Sequence, residues 1–154
     1  MKDLRIVATA IEPELLKAEL DDLACGALVT FEGWVRNHNE GRAVQQLEYE
    51  VYAPLAIKEG KQVLDQAAAR WPVNHALVVH REGLLELGDV AVWVGVSSPH
   101  RDEAFSACRW IIDEVKVRLP IWKKETWTDG DSGWVNCERC AAHAGHDHSI
   151  EQKQ

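Results

Sequence analysis

The decapeptide KVRLPIWKKE (116–125) gathers Lys116, Arg118, Lys123 and Lys124 around a proline, in a chain whose formal net charge is −8. Lysine can neutralise an anion, move a proton or, once desolvated, attack as a free amine. Position separates these residues. Lys116 falls in the last turn of an expected helix, where a cation already benefits from the macrodipole. Lys123 and Lys124 follow Pro120 in an extended segment, so they point to opposite faces. Lys123 shares its face with Ile121 and Glu125, which sets a cation and a carboxylate two residues apart. On a partly buried face Lys123 is a candidate acid, base or nucleophile; on an open face the two form a surface ion pair. Spacing leaves both readings open.

Three further clusters carry reactive types. His100 and Arg101 open the same helix, where backbone N–H groups, an imidazole and a guanidinium can converge on a phosphate or carboxylate. Asp102 and Glu103 follow them, so an ordinary exposed N-terminus is the competing account. The segment RNHNEGR (36–42) places Arg36, His38 and Arg42 after an apolar strand, with Asn37, Asn39 and Gly41 supplying turn chemistry. It reads either as a binding loop or as a polar hairpin loop. The tail CERCAAHAGHDH offers Cys137, Cys140, His143, His146 and His148, ligand types that can enclose a tetrahedral zinc. The second half of a zinc ribbon is missing, and a solvated tail is the other reading. Cys25 and Cys108 fall on expected buried faces, as small core residues.

Length constrains how these clusters combine. His100 and Lys116 lie 16 residues apart, hence about 24 Å along one helix. They cannot both touch one small ligand within a single chain. Either they serve different sites, or a two-fold dimer brings one chain's His100 end to the other's Lys116 end.

The elements that must position these groups follow from periodicity. Strands are expected over LRIVATA, GALVTFEGWV (buried), VQQLEYEVY, HALVVH and VAVWVGV, and extended chain over IWKKETW and GWVN. Helices are expected over EPELLKAEL, from Pro54 to Trp71, and from near Pro99 to Pro120, the last through Phe105, Cys108, Ile111, Ile112, Val115 and Leu119. A turn-rich segment around Gly83 and Gly88 joins two of the strands. With hairpin-sized connections, this order implies an α+β fold with a mostly antiparallel sheet.

Composition narrows the function. The chain has 154 residues, 46% hydrophobic and 27% charged, which suits one globular domain. An acidic total argues against general nucleic-acid binding. No apolar run approaches a membrane span and the N-terminus lacks a signal-peptide core, so a soluble, cytoplasmic protein is expected.

Six segments stand in an order and spacing that resemble the molybdopterin synthase catalytic (large) subunit family: VTFEGWVRNHN, YEVY, RWP, HREGLLELGD, VGVSSPHRDEAF and KVRLPIWKKE. The resemblance covers roughly residues 4 to 136. The Cys/His tail over 137–154 lies outside the resemblance and, having lost hydrophobic pattern, is expected to be mobile. The resemblance implies an α/β hammerhead-type fold and one catalytic domain over 1–136. It also implies a homodimer that binds two copies of a small ubiquitin-like sulfur carrier, giving a heterotetramer. The carrier's C-terminal Gly-Gly thiocarboxylate would donate sulfur to cyclic pyranopterin monophosphate, with no cofactor required for catalysis. Carried over by motif, Lys116 and Lys123 are the catalytic lysines. Trp34, Val35, Arg36, His100, Arg101, Lys124 and Glu125 join them in binding substrate.

Two departures stand out. Trp34 replaces a lysine common in relatives. Glu138 and Arg139 stand where relatives place an arginine that reaches the neighbouring subunit. The alternatives to a sulfur-transferring enzyme are a non-catalytic module that binds zinc through the tail and an unrelated Schiff-base lysine enzyme.

Overall fold

The computed structural model describes residues 1–135. In chain order its elements are β1 (Lys2–Val7), α1 (Pro13–Ala18), β2 (Ala27–Trp34), β3 (His38–Asn39), β4 (Arg42–Val51) and α2 (Ala53–Arg70). There follow β5 (His75–Arg81), β6 (Gly83–Glu86), β7 (Val90–Ser98), α3 (Arg101–Arg118), β8 (Ile121–Trp127) and β9 (Ser132–Val135).

The strands form two sheets. The first has the order β1-β5-β7-β2; the second runs β3-β4-β8-β9, with β6 also paired to β4. Pairing is antiparallel except between β1 and β5, which agrees with the expected α+β class. Among the described residues no helix is long and apolar enough to cross a membrane.

β5 and β7 are apolar nearly throughout because both faces of their sheet are covered. Ala76, Val78, Val92, Val94 and Val96 pack with α2 and α3 on one face. Leu77, Val79 and Trp93 pack with Ile11 and Leu20 on the other. Each fully buried valine or leucine contributes about 2 kcal/mol of transfer free energy. Gly60 lets α2 close on β1, since a Cβ there would lie only 2.9 Å from Leu4 Cγ. A third cluster joins the two sheets, with Ala91 of β7 meeting Val44 and Leu47 of β4 and Leu85 of β6.

Several expectations need correction. The segment 26–35 was expected to be a buried strand; β2 is instead an edge strand with alternating exposure. The turn-rich segment after His80 contains β6, because Gly83 to Glu86 find a partner in β4. Cys25 lies in the connection before β2 and is half-buried, whereas Cys108 is buried on α3 as expected. Phe105 is exposed. The buried stripe of α3 centres on Ala104, Cys108, Ile111 and Val115, and Phe105 stands about 100° round from Ala104.

Candidate active site

A cavity of about 460 Å³ opens where the two sheets meet the last turns of α3. Arg36, Lys116, Lys123 and Glu125 all line it, together with Trp34 at one side. These groups arrive from separate stretches of chain, so each placement has its own local cause.

Lys123 and Glu125 reach the cavity through strand register. On β8, Lys123 pairs with Tyr49 of β4 and Glu125 with Leu47, while Lys124 pairs with Glu48 on the opposite face. Lys124 therefore points away from the cavity, with its Nζ 6.0 Å from the Trp134 ring centroid. The sequence pattern anticipated this split between neighbouring lysines. Lys116 reaches the same space from the margin of α3's buried stripe, beside Ile112. Pro120 stops the helix and starts β8, so helix end and strand face the cavity together.

The loop after β2 supplies the third cation. A register shift between Gly33 and Trp34 interrupts the β2–β7 ladder. It leaves the Trp34 ring exposed at the mouth, its Nε1 donating to Glu32 Oε1 at 2.9 Å. Val35 turns inward and is buried in the cluster between the sheets, so it supports the site without lining it. β3 and β4 then close through Glu40 and Gly41, both with positive φ (49° and 79°). A two-residue turn of this kind suits the twist of a hairpin. The hairpin lays Asn39 over β8, where its Nδ2 donates to Glu125 Oε1 at 2.7 Å. Arg36 in turn donates to Asn39 Oδ1 at 3.2 Å.

Glu125 is 1% exposed and is held by groups from the loop and from its own strand. Trp127 Nε1 donates to its Oε2 at 2.9 Å, and Lys123 Nζ lies 3.8 Å from Oε1. The short N–H bonds dominate; the lysine distance is at the outer edge of an ion pair. A buried carboxylate thus holds the loop, the strand and one lysine in a fixed relation.

Tyr49 and His80 line the cavity too, and the residue types alone did not single them out. The available signal was a histidine at an inward position of the apolar strand β5. His80 is buried, and burial pushes its imidazole down to about 4, with the neighbouring Lys116 cation acting the same way against a hydrogen bond to the Arg81 carbonyl. Unfolded, the group titrates at its ordinary value of 6.5. Above pH 6.5 both states are neutral and nothing is lost. Between pH 6.5 and about 4 the unfolded chain takes up a proton that the folded chain refuses, so stability falls on acidification by about 3 kcal/mol. Urea unfolding of wild type and His80→Phe should differ by that much across this window, the wild type losing more. Equal losses would show that the ring is not desolvated.

His100 and Arg101 are not in the cavity. They begin α3 as exposed residues, with Asp102 and Glu103 in its first turn, at the far end from Lys116. Within one chain the structure therefore divides the expected site residues into a cavity set and a helix-start set. Cys137, Cys140, His143, His146 and His148, with Glu138 and Arg139, lie outside the described residues. Among the described residues no group of three or more His, Cys, Asp or Glu side chains is arranged to hold a metal.

The sequence and fold are similar to those of known proteins. The family model described as MoaE protein matches residues 6–118. The chain is 44% identical over 128 residues to a molybdopterin synthase catalytic subunit of Nostoc, spanning 82% of this chain and 78% of that one. It is 39% identical to the Staphylococcus carnosus molybdopterin synthase catalytic subunit over 154 residues, covering 100% of this chain and 99% of its relative. A crystal structure of molybdopterin synthase from Staphylococcus aureus superposes with a TM-score of 0.82 at 40% identity, over 88% of this chain and 98% of the other. The chain belongs to the MoaE family, that of the molybdopterin synthase catalytic subunits.

Proposed function

We propose that this protein transfers sulfur from the C-terminal thiocarboxylate of a small ubiquitin-like carrier, ending in Gly-Gly, to cyclic pyranopterin monophosphate, forming the dithiolene of molybdopterin. The observation that carries the reading is the convergence of Arg36, Lys116 and Lys123 on one cavity in a chain of net charge −8. Family membership supplies the reactants, and both are anions. Three cations around one cavity offset the repulsion between a cyclic phosphate and a thiocarboxylate. Exchanging oxygen for sulfur and opening the cyclic phosphate also need proton transfers. Lys116, on a helix end beside the cavity, is the general acid/base or covalent participant. Lys123, tied to Glu125, positions the reactants and stabilises charge. Residues of the chain itself carry the chemistry, with no metal or organic cofactor in the reaction.

His100 and Arg101 enter this scheme from a second copy. Since α3 holds them at the end opposite Lys116, a two-fold dimer is the arrangement that lets both ends meet one ligand. One carrier on each copy makes a heterotetramer, which would work in the cytoplasm.

The test is reconstitution. Purified protein mixed with thiocarboxylated carrier and cyclic pyranopterin monophosphate should yield molybdopterin by mass spectrometry. Absence of product, with carrier and pterin both intact, would overturn the reading. Dimers formed from Lys116→Ala and Arg101→Ala chains should regain activity that each variant lacks alone. Mixtures that stay inactive would remove the shared site while leaving the chemistry in place.

A further inference from the structure

We infer that Trp34 is a specificity residue of the cavity: its indole is the platform on which the flat pyrimidine ring of the pterin stacks, while Arg36 holds the phosphate end. This rests on the pterin substrate proposed above.

The backbone sets the pair up. Trp34 and Arg36 both line the cavity, whereas Val35 between them is buried in the cluster that joins the sheets. Val35 is pinned by its own backbone, its N–H donating to the Asp89 carbonyl at 3.0 Å and its carbonyl accepting from Gly88 at 2.7 Å. Two residues of chain span at most about 7 Å, so an aromatic ring and a guanidinium stand close together at one side of the cavity. Asn39 takes one Arg36 donor at 3.2 Å, and a guanidinium has five.

The indole is presented, not packed. Trp34 is 67% exposed, which forgoes burial that would stabilise the fold. Its single hydrogen-bond donor, Nε1, is given to Glu32 Oε1 at 2.9 Å. That bond restrains the ring and leaves its faces as what it can offer a ligand. Trp34 is the one tryptophan among the described residues of the lining. Tyr49, which also lines the cavity, is packed edge-on against His80 with ring centroids 5.1 Å apart.

An open aromatic face beside a guanidinium suits a flat heterocycle that carries a phosphate. The pterin has both parts. The carrier's terminus has neither, because two glycines offer no side chain to stack. A lysine at position 34 would attract both anionic substrates alike, whereas the indole distinguishes one from the other.

Titration calorimetry on the full chain tests this. Trp34→Leu should weaken binding of cyclic pyranopterin monophosphate about tenfold, within the range for losing one aromatic–base stack. Binding of the carrier should stay within about twofold. Trp34→Phe, which keeps a ring, should return to within about threefold of wild type for the pterin. The position is exposed, so neither substitution opens the core. In the reconstituted reaction Trp34→Leu should raise KM for the pterin by the same factor and leave KM for the carrier unchanged. Equal pterin losses in both variants, or an effect confined to the carrier, overturns the inference. A wild type that binds the pterin through Trp34 but makes no molybdopterin rejects the sulfur-transfer reading alone. A wild type that makes molybdopterin, with a pterin affinity indifferent to Trp34→Leu, rejects the platform alone.

Discussion

Replacing Lys116 with alanine is expected to slow molybdopterin formation by about a thousandfold, in the middle of the range for losing a positioned general acid or base. The expectation follows from where the residue sits. Lys116 lies at the margin of α3's buried stripe and lines the cavity from the helix side, across from the strand that carries Lys123. Lys123→Ala should be milder, because Arg36 and Lys116 keep two cations in the cavity and charge stabilisation is shared. Lys116→Arg separates the two possible contributions of the lysine. The guanidinium keeps the charge but does not give up its proton. Activity near that of alanine would assign Lys116 to proton transfer or covalent chemistry, and activity near wild type would assign it to charge alone. The steady-state rate with thiocarboxylated carrier is the readout. A Lys116→Ala enzyme at full rate removes the residue from the chemistry.

Glu125→Ala should be the most destabilising change in the cavity, by about 4 kcal/mol in urea unfolding. The carboxylate is 1% exposed and accepts from Asn39 at 2.7 Å and Trp127 at 2.9 Å. Its removal leaves a half-buried amide, an indole N–H and the nearby Lys123 ammonium without their acceptor. Glu125→Gln keeps the shape and one acceptor oxygen, so a smaller loss of about 1–2 kcal/mol is expected. The lysine contributes little to this figure, because at 3.8 Å it is the most distant of the three contacts. The double variant Lys123→Met/Glu125→Leu tests that ranking. If the ion pair dominated, the double change would cost much less than Glu125→Ala, whereas dominance of the Asn39 and Trp127 bonds leaves the two costs similar. A cost below about 1 kcal/mol for Glu125→Ala would mean that the hairpin and β8 are held together by other contacts. In either outcome the hairpin's position bears on function, since Arg36 reaches the cavity through Asn39.

Much of this fold was legible because periodicity is local. Apolar steps of three and four marked α3, and Pro120 marked its end, each to about two residues of the observed Arg101–Arg118. The alternation IWKKE assigned Lys123 and Glu125 to one face and Lys124 to the other, and the β4–β8 register keeps that assignment. Counting residues along α3 separated His100 from Lys116 before any coordinate was known. Elsewhere local rules misled. The apolar character of 26–35 suggested a buried strand, yet β2 sits at a sheet edge, and hydrophobicity does not say which strand will lack a neighbour.

What the sequence determined by itself is the set of elements, the faces of their residues and the family to which their motifs point. Tertiary structure decided the rest. It brought Arg36, Lys116 and Lys123 together, buried Glu125 beneath Asn39 and Trp127, and added His80 from a strand that had been read only as core. The physical reason is range. A side chain's face depends on the dihedral angles of its own segment, whereas its neighbours across a cavity depend on pairings between strands such as β4 and β8, whose partners lie 70 or more residues apart. Those pairings are selected by burial of the whole core. No single stretch of KVRLPIWKKE contains them.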